Sequence, residues 1–269
     1  MSKNNQYDTI KVTVITVVYN DEANIQSTIE SVINQGYPHL EYIIVDGRSS
    51  DGTLEIIKKY ENNIQILISE KDEGIYDAMH KGIKLSSGQY INFMHSGDSF
   101  YSKQTLSNVM KNLDTDSDII YGNYYVKYPI GFGRTELSHE PKNLWKPFFN
   151  QQCVFYKSLI LNNKPFNTKY NIAADFFFTM ESISRGYRIN KIDEIICYSL
   201  KGGYSNQQEF KAIKQYYNII KEFNLKGKKM YFYKKIFWIF FIEKVVKRSL
   251  PINLYYFLQN YFRKIMPMN

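Results

Sequence analysis

Cysteine is scarce. Cys153 and Cys197 are too few for a disulfide framework and lack the paired spacing of a zinc site, so a reducing compartment is expected. The polar start MSKNNQYDTI has no apolar core of the kind a secretory signal needs, and this predicts a cytoplasmic protein. Long hydrophobic runs are absent too. The longest run in the C-terminal region, IFWIFFI, lies between Lys235 and Glu243 and is too short to span a bilayer. No internal repeat or low-complexity tract interrupts the chain. The stretch TVVYNDEAN contains no glycine, which argues against the Gly-rich phosphate loop expected near the start of a nucleotidyltransferase.

What is present is enough apolar material for a large core. Of 269 residues, 44% are hydrophobic and 16% aromatic, which supports one sizeable core with room for an appended unit and excludes a disordered chain. The net charge of +8 is unevenly spread. Residues 201–269 hold 14 Lys and Arg against 3 Glu, whereas residues 1–200 hold 20 basic against 23 acidic side chains. The tail is chemically unlike the body.

Along the body, two periodicities alternate. KVTVITVVY (11–19), LEYIIVD (40–46), IQILISE (64–70) and QYINFMH (89–95) read as buried strands. DEANIQSTIESVINQ (21–35), SDGTLEIIKKY (50–60) and EGIYDAMHKGIKLSS (73–87) carry apolar residues at helical spacing. Strand and helix in alternation predict parallel pairing through right-handed crossovers. Asn20 and Ser50 read as helix N-caps, and Gly88 as a C-terminal cap.

In open α/β sheets, ligands bind beyond the carboxyl ends of the strands. Those ends read VVYND, VDGRSSDGT, SEKDEGIYD and HSGDSF, and three of the four combine aspartate with glycine. The same four segments, in the same order, resemble inverting family 2 glycosyltransferases, whose motifs read T-x-x-Y-N, V-D-G-x-S-x-D-G-T, S-E-x-D-x-G-I-Y-D-A-M-N-K-G and G-x-Y-I-x-F-L-N-x-D-D. NQQCVFYKSLI (150–160), YNIAADFFFTM (170–180) and LKGGYSNQ (200–207) extend the resemblance more weakly, so that it covers roughly residues 10–207.

The resemblance implies an α/β GT-A fold, a Rossmann-like mixed sheet flanked by helices, with a C-terminal basic and aromatic helical extension. Residues 1–207 would form the catalytic domain, with about 10–100 binding nucleotide-sugar and about 101–207 binding acceptor, and residues 208–269 the extension. It further implies a nucleotide site built from Val17, Tyr19, Asn20, Asp46, Gly47, Ser49, Asp72, Asp77 and Gly97, with Asp46 accepting a hydrogen bond from a uracil imide and Tyr19 stacking on the base. Asp98 becomes the carboxylate that holds Mn²⁺ or Mg²⁺ against a diphosphate, since hard cations take oxygen ligands. The family usually shows two acids there; this chain has Ser96-Gly97-Asp98-Ser99.

Asp175 is the implied catalytic base, although an aspartate ahead of an apolar helical run is also a common N-cap. Asp77 reads equally as a helical surface residue. Gln151 and Gln152 stand where the family often has His-Gln, and a glutamine binds sugar or phosphate without taking a charge. With Gly202, Gly203 and Ser205 of KGGYSNQ they form a possible acceptor and diphosphate loop, the glycines acting as hinges of a lid.

Lysines and arginines interleaved with Tyr, Phe and Trp in the tail suit a helix lying on an anionic membrane, and no nucleic-acid module accompanies them. The expectation is therefore a transferase, peripheral on the inner face of the cell membrane, that moves a sugar from a UDP donor to a lipid-linked saccharide. A nucleotidyltransferase and a non-catalytic membrane adaptor are the alternatives.

Overall fold

In the computed structural model the described residues are 9–127, 133–136, 138, 149–163, 165–200 and 208–223. The chain divides into two units, Met1–Gln207 and Gln208–Asn269.

The first unit opens with β1 (Val12–Val18), α1 (Ile25–Ile33), β2 (Leu40–Asp46), α2 (Thr53–Lys58), β3 (Ile66–Ser69), α3 (Ile75–Leu85) and β4 (Tyr90–Phe93). β1 pairs in parallel with both β2 and β4, and β2 with β3, as the alternating periodicity predicts. β1 is buried along its whole length, which is why it reads as an unbroken VTVITVV run rather than an alternating one.

β5 (Ser99–Phe100), α4 (Thr105–Lys111), β6 (Ile119–Lys127), β7 (Gly133–Glu136), β8 (Val154–Lys157), α5 (Ser158–Asn163), α6 (Ala174–Ser184) and β9 (Ile189–Leu200) follow. The sheet order is β3-β2-β1-β4-β8-β6-β9-β5, with β7 on β6. β8 enters antiparallel beside β4. The second half of the chain therefore joins the sheet directly against the last strand of the first half.

Polar side chains inside the sheet are paired. Glu41, 5% exposed, accepts hydrogen bonds from Lys11 Nζ at 2.7 Å, Thr13 Oγ1 at 2.6 Å and the Ser87 backbone N–H at 2.8 Å. Burial works against its charge, but these donors outweigh it and hold the carboxyl at about 2. Gly82 of α3 packs so tightly on β1 that a Cβ there would lie 2.6 Å from Ile15 Cγ2.

Helix ends differ from the sequence expectation. Asn24 and Gly52, not Asn20 and Ser50, occupy the cap positions of α1 and α2. Gly88 is no helix cap either: Ser86 caps α3, and a Cβ at Gly88 would meet the Thr13 backbone nitrogen at 2.6 Å. Its glycine serves close backbone approach.

Cys153 and Cys197 are free, buried thiols in the core of the first unit. In the second unit, α7 (Glu209–Glu222) is amphipathic, with Ala212, Ile213, Ile219 and Ile220 buried. Gly202, Gly203, Ser205 and the tail from residue 224 onward lie outside the described residues.

Candidate active site

The loops after β1 and β2 are clipped together by side chains. Asn20, at φ 47°, donates its N–H to Ser49 Oγ at 2.8 Å and accepts the Ser50 N–H on Oδ1 at 2.8 Å. Glu22 and the next loop exchange two more bonds, Glu22 N–H to Asp51 Oδ2 at 3.2 Å and Gly52 N–H to Glu22 Oε2 at 2.8 Å. The Asn20 side chain, expected to cap its own helix, binds the neighbouring loop instead, and Ser50 takes part through its backbone N–H.

Asp46 lies at the end of β2 and is fully buried. Its carboxylate accepts the Ser49 hydroxyl and backbone N–H, and Ser69 Oγ at 2.6 Å. These three donors orient the carboxylate from the protein side and leave it acceptor capacity for one more. Asp46 fixes the loop; the surface beside it is made by others.

Those others are Tyr19, Gly47 and Asp72. Tyr19 is 64% exposed. A Cβ on Gly47 would sit 2.5 Å from Asp72 Oδ2 and 3.3 Å from Tyr19 Cδ2, so only glycine lets the three close in. Asp72 is oriented by the Gly74 N–H on its Oδ1 at 2.9 Å. Val17, by contrast, is a core residue whose carbonyl accepts the Ser96 N–H at 3.5 Å. Asp77 is committed to the start of α3, accepting the Glu73 N–H at 3.1 Å and facing Lys81 at 3.6 Å.

After β4, His95 to Asp98 form a tight turn closed by the Asp98 N–H on the His95 carbonyl at 3.0 Å. Gly97 takes φ 91° there, in the left-handed region that favours glycine. Thr28 of α1 seats this turn, accepting the Gly97 N–H at 3.1 Å and donating to the Asp98 carbonyl at 2.7 Å. Asp98 is 8% exposed, and its Oδ2 accepts Gln152 Nε2 at 2.7 Å. Gln151 lies 3.2 Å from His95 Nε2 through its Oε1. Burial holds the His95 imidazole down at about 4, hence neutral.

Asp175 is the second residue of α6, and Ala173 stands in the cap position, so the N-cap reading of Asp175 falls away. Its Oδ1 accepts the Tyr76 hydroxyl of α3 at 3.1 Å. Burial raises the carboxyl above the ordinary aspartate range, partly offset by hydrogen bonds from the Phe176 backbone and Tyr76. A partly desolvated, oriented carboxylate of this kind is equipped to take a proton. His80, one helical turn beyond Tyr76, is pushed down by burial and hydrogen-bonds the Phe166 backbone.

Sequence reasoning missed Tyr76 as the partner of Asp175 and Thr28 as the seat of the Asp98 turn. Tyr76 sits within GIYDAMHKG, where its spacing matches a core aromatic, and Thr28 reads as an ordinary helix residue.

The profile of glycosyl transferase family 2 matches residues 13–186, from β1 to just past α6. The chain belongs to this family. It is a glycosyltransferase of GT-A fold, and neither a nucleotidyltransferase nor a non-catalytic adaptor. Among relatives, it is 27% identical over 201 residues to a PGL/p-HBAD biosynthesis glycosyltransferase of Mycobacterium bovis, covering 72% of this chain and 78% of that one. It is 31% identical over 198 residues to the poly(ribitol-phosphate) beta-N-acetylglucosaminyltransferase TarP of Staphylococcus aureus, covering 66% and 60%.

Solved structures agree on the fold. The mannosyltransferase PcManGT from Pyrobaculum calidifontis, in complex with GDP-Man and Mn²⁺, superposes with a TM-score of 0.64 at 20% identity, covering 82% of this glycosyltransferase and 66% of that chain. S. aureus TarS 1–349 in complex with UDP-GlcNAc gives 0.58 at 20% identity, covering 85% and 70%. No described helix of the glycosyltransferase is long and apolar enough to cross a membrane.

Proposed function

We propose that this glycosyltransferase moves a hexose or N-acetylhexosamine from a UDP donor to a hydroxyl of a lipid-linked saccharide, with inversion at the anomeric carbon. The observation that carries the reading is the Asp175 carboxyl, raised by burial and aimed by Tyr76 of α3, the same helix that begins beside Asp72. Asp175 accepts the proton of the attacking hydroxyl, and the donor diphosphate leaves from the opposite face. Tyr19 supplies a stacking face for the base, and Asp72 the polar group next to it.

Mn²⁺ or Mg²⁺ fits Asp98 by donor chemistry. Among the described residues no group of three or more His, Cys, Asp or Glu converges as a metal site, so donor phosphate oxygens would complete the coordination. When bound, such an ion neutralises the charge that builds on the departing diphosphate. The Gln152 amide holds the Asp98 carboxylate from the protein side.

The UDP preference is supported by TarS, which is described in complex with UDP-GlcNAc, and PcManGT with GDP-Man makes GDP the necessary control. The basic, aromatic tail supports an anionic membrane surface as the place where a lipid-linked acceptor is met. Calorimetric titration of UDP and GDP, with and without Mn²⁺, tests the reading in wild type and Asp98→Ala. Mn²⁺-dependent UDP binding lost in the variant is expected; equal UDP binding by both proteins overturns the assignment of Asp98.

A further inference from the structure

Four polar contacts converge on the short helical turn Gln151–Cys153 and the first residue of β8 that follows it. The fully buried Asn92 of β4 donates its Nδ2 to the carbonyls of Gln152 at 3.0 Å and Val154 at 2.9 Å. Gln151 meets His95, three residues after Asn92, and Gln152 Nε2 meets Asp98, three residues further. Asn92, His95 and Asp98 thus engage the turn in sequence. The Gln152 side chain leaves a backbone held in place, so its amide has little freedom to reorient.

The other end of that amide is the unexplained part. Gln152 Oε1 is buried and has no hydrogen-bond partner. A buried acceptor without a donor costs about 1–3 kcal/mol, and such orphans are usually satisfied by a bound species. An unsatisfied carbonyl oxygen beside a carboxylate selects for a cation or a hydrogen-bond donor and against an anion.

We propose that Gln152 Oε1 is a second, neutral protein oxygen of the diphosphate–cation site, placed beside the Asp98 carboxylate by its own amide N–H. The proposal rests on the reading of Asp98 as the cation carboxylate. A carboxamide supplies an oxygen without a charge, so the protein alone holds a divalent cation weakly and the donor diphosphate provides the remaining negative charge. Metal and nucleotide then bind as a pair.

Titration of Mn²⁺ into the full chain, followed by electron paramagnetic resonance with and without UDP, decides the matter for wild type, Asp98→Ala, Gln152→Glu and Gln152→Met. Gln152→Glu adds a second carboxylate and is expected to bind Mn²⁺ without nucleotide at least tenfold more tightly than wild type. Gln152→Met removes both amide functions and is expected to weaken Mn²⁺ at least tenfold in the presence of UDP. Its far-UV circular dichroism and cooperative thermal unfolding stay those of wild type, which a loss of metal through misfolding would not preserve. Wild-type Mn²⁺ affinity in Gln152→Glu without nucleotide, or in Gln152→Met with UDP, overturns the proposal. If Asp98→Ala also retains wild-type Mn²⁺ binding, the cation assignment of Asp98 falls with it; if only the Gln152 variants do, that assignment survives.

Discussion

The two halves of the catalytic unit solve different problems. The first, β1 to β4, is a parallel sheet whose polar groups gather at strand ends, where adjoining loops clip one another through Asn20, Glu22, Asp46 and Ser49. The second, β5 to β9, is mixed in direction and offers groups that act across the join, Gln152 onto Asp98 and Asp175 onto Tyr76. The first half joins loops of adjacent strands; the second brings in side chains from much farther along the chain.

Asp175→Asn is the sharpest test of this division. Loss of a general base costs on the order of 10²–10⁴ in rate. Turnover should fall about a thousandfold while UDP binding stays within twofold by calorimetry. A parallel loss of nucleotide affinity would erase the distinction between the halves.

Next in size is Glu41, whose charge belongs to the stability of the first half. Its folded pKa of about 2 lies below the ordinary 4.5, so its stabilisation is fully present above about pH 4.5 and is lost as pH falls toward 2. Lys11 is partly exposed, and with the solvent screening this brings, the shift corresponds to roughly 1–2 kcal/mol of stability. Urea unfolding at pH 7 should show Glu41→Gln destabilised by about that amount, and the gap to wild type should narrow below pH 4.5 and close near pH 2.

Tyr19→Ala probes the binding surface itself. Stacking of a base on an aromatic ring contributes about 1–3 kcal/mol, so UDP affinity should drop roughly tenfold or more at unchanged kcat. A fall in kcat instead would move Tyr19 to the chemical side of the comparison.

The smallest effect expected is at Gly82→Ala. Helix propensity alone favours alanine by about 1 kcal/mol, but overpacking against Ile15 costs about 1–3 kcal/mol. The clash wins, and thermal unfolding should show a net loss near 1 kcal/mol.

How much of this was legible in the chain follows the same division. The runs VTVITVV and LEYIIVD carry their burial in their composition, and the places of Asp72 and Asp98 after strands follow from the same runs. Asn20 reads as a cap because a side chain that accepts a backbone N–H looks alike in sequence whether the donor is three residues away or thirty. Ser69, which closes over Asp46, comes from another strand and has no local signal in the chain. Gln152 finds Asp98 only because β8 runs antiparallel beside β4, a register that no local periodicity encodes.

Cys153 and Cys197 carry a practical consequence. Burial pushes Cys153 up to about 12 and Cys197 well above its ordinary value, so neither presents a reactive thiolate while the sheet is closed. Both belong to the second half, Cys153 beside the Gln152 turn and Cys197 on β9. A thiol-trapping reagent therefore acts as a clock on the opening of that half, and slower labelling with UDP and Mn²⁺ present would time how firmly a bound donor locks the join.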